Sequence, residues 1–344
     1  MFIVRLKAKT KKTTLKSQVL YVSGVPDNAI ITSNALENTK TMYAIEIKNL
    51  TKKYKEFEAL KNISFKIEKG DFFGFIGPNG AGKTTTINSI IGLVKYNGSI
   101  KAFGFDAVKN YRETREKIGL SPQEYNFDRF LTVEKCLSYT AGYFGIQKED
   151  AEKRTYKLLK KFNLYSKRNN TPMELSGGMK RRLMIARALI HKPEILILDE
   201  PTAGIDVQLR RELWDLMKEI NNEGTTIILT SHYIEEVEAL CKTICVINKG
   251  RIIEIGKKSK IMKDLSNQTL QIKTDKRIPN NLIDHKDLAI SNKNGIIRIT
   301  GKEIKKDANN IIKKIENAGI KIKEIDLKNE RLEEVFLRLT GEKK

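Results

Sequence analysis

The eight residues Gly77-Pro78-Asn79-Gly80-Ala81-Gly82-Lys83-Thr84 limit the fold more than any other part of the chain. They fit the spacing GxxxxGK[ST] between a short apolar run, Asp71 to Ile76, and a segment with apolar residues at helical spacing from Thr84. A strand that breaks at glycine and restarts as a helix can cradle phosphate. Glycines let backbone N–H groups converge on an anion, and the helix turns its positive end toward it. In that frame Lys83 reaches the β- and γ-phosphates and the Thr84 hydroxyl ligates Mg2+. Gly77, Pro78, Asn79, Gly80, Ala81, Gly82 and Thr85 complete the nucleotide-binding set.

A second apolar run, Ile195 to Leu198, ends in Asp199-Glu200. Two carboxylates at the C-terminal end of a buried strand lie where open α/β sheets bind ligands. Asp199 is expected to hold Mg2+, directly or through water, and Glu200 to polarise an attacking water as general base. Between these motifs lies Leu175-Ser176-Gly177-Gly178-Met179, ahead of a helix opening with Lys180, Arg181 and Arg182. Ser-Gly-Gly alone reads as a capped turn, but at a helix start it is also an anion-binding terminus.

With these three motifs in order, residues 45–256 closely resemble the ABC ATPase family. Gly77 to Thr84 matches its Walker A motif, Ile195 to Glu200 its Walker B motif, and Leu175 to Met179 its signature. Met179 replaces the usual Gln there, while Ser176, Gly177 and Gly178 are retained. The resemblance carries further roles. Gln123 matches the residue that senses Mg2+ and the partner subunit, and residues 203–206 match the loop after Walker B. His232 matches the switch histidine at the γ-phosphate. Tyr54 stands where an aromatic stacks on adenine, with Phe57 as alternative. The implied fold is α/β: a P-loop domain with a mainly parallel sheet and a helical subdomain. The implied activity is hydrolysis of ATP with Mg2+. One copy would supply Gly77 to Thr84 and a second ATP-binding subunit Ser176 to Gly178 across the same nucleotide, with a homodimer expected.

Residues 200–206, 209–214 and 231–236, with Arg331 to Phe336 near the end, resemble the ATP-binding subunits of type-2 ABC exporters. That implies a separate membrane-spanning permease and a place on the cytoplasmic face of the membrane. An importer subunit shares the core motifs. A non-hydrolysing scaffold is disfavoured because Glu200, Gln123 and His232 are all present.

Composition bounds these readings. The 344 residues hold 64 Lys plus Arg against 42 Asp plus Glu, a formal charge of +22. Such a surface suits nucleic acid, nucleotides or anionic lipid. An ATPase working on ribosomes or nucleic acid is the runner-up. Yet the chain carries one cassette, not two, and no long coiled-coil insertion, so nucleic acid is not the expected partner. No apolar run approaches the ~18 residues of a membrane helix. The three cysteines, Cys136, Cys241 and Cys245, include no CxxC pair and read as ordinary thiols of a reducing compartment. Residues 1–42 read as a poorly ordered, basic extension, weakly like an organelle transit peptide, with Met42 as an alternative start. Residues 43–256 are expected to form the ATPase domain, with the helical subdomain at about 124–188. Residues 257–344 are expected to form a small α+β accessory domain.

Overall fold

Alternating burial builds the first layer. The computed structural model describes residues 43–276, 279, 289–293, 296–302 and 304–341; the expectations for residues 1–42 fall outside them. Strands β1 (Tyr43–Tyr54) and β2 (Phe57–Glu68) pair antiparallel and turn Ile45, Ile47, Ile63, Phe65 and Ile67 inward. β3 (Phe72–Ile76) is buried along its whole length, as an inner parallel strand requires. It feeds helix α1 (Lys83–Ile90) through the glycine loop. β4 (Asn97–Ala102) and β5 (Phe105–Asp106) complete an antiparallel sheet of order β2-β1-β4-β5.

Helix α2 (Tyr111–Lys117) leads into β6 (Ile118–Ser121). Three helices follow: α3 (Val133–Tyr143), α4 (Lys148–Lys161) and α5 (Gly177–Leu189). Thr132 caps α3 by accepting from the Lys135 amide, and Ser176 caps α5 by accepting from the Met179 amide. β7 (Ile195–Asp199), α6 (Val207–Asn222), β8 (Thr226–Ser231), α7 (Ile234–Leu240) and β9 (Thr243–Asn248) then alternate. β10 (Arg251–Lys257) folds back antiparallel on β9.

The second sheet has the order β10-β9-β3-β8-β7-β6, and its pairs from β9 to β6 are parallel. The side chains of β3 point alternately to two cores. Phe73 and Phe75 face the antiparallel sheet, where Phe65 stacks on Phe73 at 5.7 Å between centroids. Phe72 and Ile76 join the helical core with Leu183, Leu213 and Val237. Because β3, β8, β7 and β6 are parallel neighbours, the segments leaving their C-terminal ends share one edge of the sheet.

The last quarter builds its own sheet. After α8 (Lys258–Leu265) come β11 (Gln268–Thr274), β12 (Ala289–Lys293), β13 (Ile296–Gly301), α9 (Ile304–Asn317) and β14 (Ile322–Asn329). The strand order is β12-β13-β11-β14, all antiparallel, and α9 closes a core of Leu270, Ile272, Ile297, Ile299, Ile311 and Ile315. The final helix, α10 (Leu332–Thr340), leaves this sheet. It packs Leu332 and Phe336 into the helical core beside Val237 and Ile261.

Candidate active site

The glycine loop leaves β3 and is shaped by its neighbours. A Cβ on Gly77 would lie 2.2 Å from the Ile247 carbonyl oxygen of β9, and Gly82 has a φ of 113°, so neither position admits a side chain easily. Lys83 is buried; its ammonium donates to the Gly77 carbonyl at 2.7 Å and to the Pro78 carbonyl at 3.2 Å. This holds the cation under the loop, whose open side presents Asn79 and Gly80.

β7 ends beside it. The Thr84 hydroxyl donates to Asp199 Oδ2 at 3.4 Å, and the Thr230 hydroxyl, from the neighbouring end of β8, donates to Asp199 Oδ1. Asp199 is only 5% exposed. Burial pushes its carboxyl above the usual carboxylate range; the Thr230 bond opposes this and the adjacent Glu200 charge adds to it. The next residue turns sharply. Glu200 adopts a φ of 49°, uncommon for a residue with a side chain, and its amide donates to the Thr230 carbonyl and hydroxyl, each at 3.1 Å.

That turn sends the Glu200 carboxylate between two flanking segments. Gln123, just past β6, donates its Nε2–H to Glu200 Oε2 at 3.0 Å. His232, just past β8, brings Nδ1 to 3.2 Å from the same oxygen. Six expected residues therefore meet at one sheet edge: Lys83, Thr84, Asp199, Glu200, Gln123 and His232. The geometry suits phosphoryl chemistry. A buried cation and backbone amides face one side, a hydroxyl and a carboxylate lie together as hard oxygen donors, and a second carboxylate is held ready for a water.

Other expected residues stand apart from this cluster. None of the described contacts of Ser176, Gly177 or Gly178 reaches the phosphate loop. Ser176 caps its own helix, the Gly177 carbonyl accepts from the Tyr125 hydroxyl at 3.1 Å, and Gly178 sits against Leu209. Tyr54, with Lys52 Nζ 4.5 Å above its ring, and Phe57 sit at the β1–β2 hairpin tip, 43% and 63% exposed. The same β2 strand reaches the loop lower down, where a Cβ on Gly82 would touch Leu60 and the Ala59 carbonyl. Pro78, Asn79, Gly80, Ala81 and Thr85 occupy the loop and the first turn of α1.

Three residues missed by the sequence reading complete the frame. Thr230 ties β8 to both carboxylate-bearing residues. Arg181, 2% exposed, donates to the carbonyls of Pro122 and Gln123 at 3.0 and 3.1 Å, linking the signature helix to the Gln123 segment. Glu236, fully buried, accepts from Trp214 Nε1 at 3.1 Å and ties α7 to α6. Arg181 could have been found: it shares a helix face with Gly178 and Ile185, three before and four after. Polar Thr230 in the otherwise apolar strand Ile227 to Leu229 was a comparable signal.

Comparison with known proteins agrees with this geometry. The family model for ABC transporters matches residues 60–203. The linearmycin resistance ATP-binding protein LnrL of Bacillus subtilis is 41% identical over 227 residues, 66% of this chain and 73% of that protein. The Nod factor export ATP-binding protein I of Burkholderia pseudomallei is 41% identical over 213 residues, 62% of this chain and 70% of that protein. Among solved structures, an ATP-binding subunit of an ABC transporter superposes with a TM-score of 0.60 at 30% identity, covering 64% of this chain and 92% of that one. A dimeric ATP-binding cassette in a post-hydrolysis state with ADP and Pi gives 0.58 at 29% identity, covering 62% and 98%. With the phosphate loop, both carboxylates, Gln123 and His232 gathered at one sheet edge, the chain belongs to the ABC transporter family and carries its ATP-binding, ATP-hydrolysing cassette.

Proposed function

We propose that this chain powers an exporter whose membrane-spanning permease is a separate polypeptide, and that it works as a symmetric pair. The export reading rests on the wording of residues 200–206, 209–214 and 231–236 and on relatives named for linearmycin resistance and Nod factor export. No described helix is long and apolar enough to cross a membrane; in this reading the permease is the membrane-spanning partner, and the chain sits beside it on the cytoplasmic face. Residues 43–256 form the ATPase unit in this reading, with helices at about 124–188 forming its helical part, and residues 257–344 are accessory.

The roles follow from the site. Backbone amides of residues 77–85 and Lys83 bind the phosphates, and Tyr54 stacks on the base. The Thr84 hydroxyl and the Asp199 carboxylate, 3.4 Å apart, are hard oxygen donors suited to Mg2+. One carboxylate and one hydroxyl match an ion whose shell is completed by phosphate and water. Bound there, Mg2+ supplies charge neutralisation on the β- and γ-phosphates. Glu200 accepts the proton of the attacking water, Gln123 positions its carboxylate, and His232 lies at the same oxygen to contact the γ-phosphate. Ser176, Gly177 and Gly178 serve a second copy in this reading, which is supported by the fact that none of their described contacts reaches their own phosphate loop. Each nucleotide is then closed by the phosphate loop of one copy and the signature of the other.

The observation that carries this reading is the Glu200 carboxylate held between Gln123 and His232, one residue from the Thr84–Asp199 pair. Glu200→Gln keeps the shape and removes the base. It is expected to bind ATP, accumulate as a dimer and lose turnover by ~10²–10⁴-fold. Turnover like the wild type removes Glu200 from the role. The same variant with ATP, used to capture partners from detergent-solubilised membranes, is expected to recover a polytopic membrane protein. Recovery of ribosomes or nucleic acid instead refutes the exporter reading.

A further inference from the structure

The C-terminal sheet carries an apolar layer that its helix does not fully cover. β11 opposes Leu270 to Ile299 and Ile272 to Ile297 on one side, and Leu270 to Leu327 and Ile272 to Ile325 on the other. Opposed residues share a face, so these six side chains form one layer across β13, β11 and β14. The first four are buried beneath α9, whereas Ile325 and Leu327 are 46% and 39% exposed. Among the described residues β14 pairs with β11 alone. Its outer edge therefore presents free backbone N–H and C=O groups beside uncovered apolar side chains, a combination that native edges usually avoid.

We infer that β14 is a self-recognition edge: it pairs antiparallel with β14 of a second copy about a two-fold axis at Asp326, joining two four-stranded sheets into one. The register follows from geometry and charge. In an antiparallel ladder, opposed residues are alike in whether their backbone groups point into it. Outward-pointing residues of β14 are all odd or all even, so identical strands pair only with a residue on the axis. An axis at Glu324 sets Lys323 against Ile325 and Ile322 against Asp326. An axis at Ile325 sets Glu324 against Asp326, a like-charge pair that occurs twice by symmetry, and breaks the apolar layer by setting Lys323 against Leu327, whereas an axis at Asp326 opposes like charges only once. An axis at Leu327 pairs Asp326 with Lys328 but leaves Ile325 opposite Asn329 and shortens the overlap to residues 325–329. The axis at Asp326 opposes Ile325 to Leu327, Glu324 to Lys328 and Lys323 to Asn329. Each favourable pair occurs twice by symmetry, and the apolar layer becomes continuous between the copies. The two Asp326 carboxylates then face each other, each with Lys328 Nζ of its own strand at 3.0 Å.

This contact needs no nucleotide, so it is separate from the proposed ATP-closed pairing and independent of the roles assigned to the active site. The full chain without ATP is expected to sediment as a dimer. Glu324→Lys alone or Lys328→Glu alone sets like charges opposite each other and lowers association about tenfold; the double reversal restores it. Asp326→Cys, on the axis, is expected to oxidise to a covalent dimer without ATP, whereas Lys323→Cys is not. The background is low because Cys136, Cys241 and Cys245 are at most 5% exposed. A wild-type chain that is monomeric without ATP, a double reversal that stays dissociated, or equal cross-linking at both cysteine positions overturns the proposal. ATP-driven dimers of Glu200→Gln, measured in parallel, report on the active-site reading separately.

Discussion

Gly177 and Gly178 are neighbours in one motif, yet their surroundings differ, and substitution by alanine separates the two. Both lie in the first turn of α5, where alanine is a better helix former than glycine by up to ~1 kcal/mol. A Cβ on Gly177 meets only the Tyr125 hydroxyl, at 3.9 Å. A Cβ on Gly178 would lie 1.8 Å from Leu209 Cδ2 and 3.0 Å from its Cγ. Leu209 sits in the first turn of α6, its amide bonded to the capping Asp206 carboxylate at 2.9 Å, so relief requires that side chain to turn away. Overpacking of this kind costs ~1–3 kcal/mol. The propensity gain is similar in both variants, so Gly178→Ala should be less stable than Gly177→Ala by ~1–3 kcal/mol in urea denaturation. Leu209→Ala removes the clashing atoms, so the Gly178→Ala penalty should vanish in that background. Gly177→Ala should keep its stability but lose ATP-dependent dimerisation in the Glu200→Gln chain. Equal stability of the two variants, or a Gly178→Ala penalty that survives Leu209→Ala, refutes the packing argument.

Two further predictions concern buried titrating groups. Burial raises the Asp199 carboxyl, so its ionisation weakens the fold as pH rises through that raised value, while below its ordinary value the neutral acid has no such cost. Asp199→Asn should therefore melt higher than wild type at neutral pH yet lose Mg2+-dependent hydrolysis; a lower melting temperature contradicts the account. Burial against Phe144, 3.8 Å away, holds His191 down at about 4 from an ordinary 6.5. Folded stability is then whole above pH 6.5 and falls as pH drops toward 4, by at most about 3 kcal/mol from this group. His191→Leu should flatten that part of the profile, and an unchanged difference between variant and wild type across pH 4–7 rules it out.

The chemistry was more legible than the architecture. The phosphate loop, the Walker B strand and the signature helix are local patterns, each dictated by residues within a few positions of one another. Strand order is not local. Fully apolar runs such as Ile195 to Leu198 and Ile227 to Leu229 announce buried strands but not that β8 lies between β3 and β7, which is what brings His232 and Thr230 to Glu200. β6 went unread because it is four residues long and contains Gly119, too short for a periodic signal. β10 and α8 were passed over where the pattern changes after Ile255. Arg181 stands between Lys180 and Arg182 in a basic run that by itself gives no sign of burial, yet its guanidinium is buried and satisfies the carbonyls of Pro122 and Gln123. The final helix, α10, falls within the expected accessory domain at 257–344, whereas its Leu332 and Phe336 belong to the helical core.

The central claim is that each ATP is hydrolysed between two copies, and mixing two inactive variants tests it directly. Lys83→Ala disables the phosphate loop and Gly177→Asp disables the signature, so each alone should have little ATPase activity. In a mixed dimer both lesions fall on one site, and the other site keeps an intact loop and an intact signature. An equimolar mixture should therefore regain about a quarter of wild-type activity, since half the dimers are mixed and each has one good site of two. No recovery on mixing would mean that the site is complete within a single chain and would contradict the account.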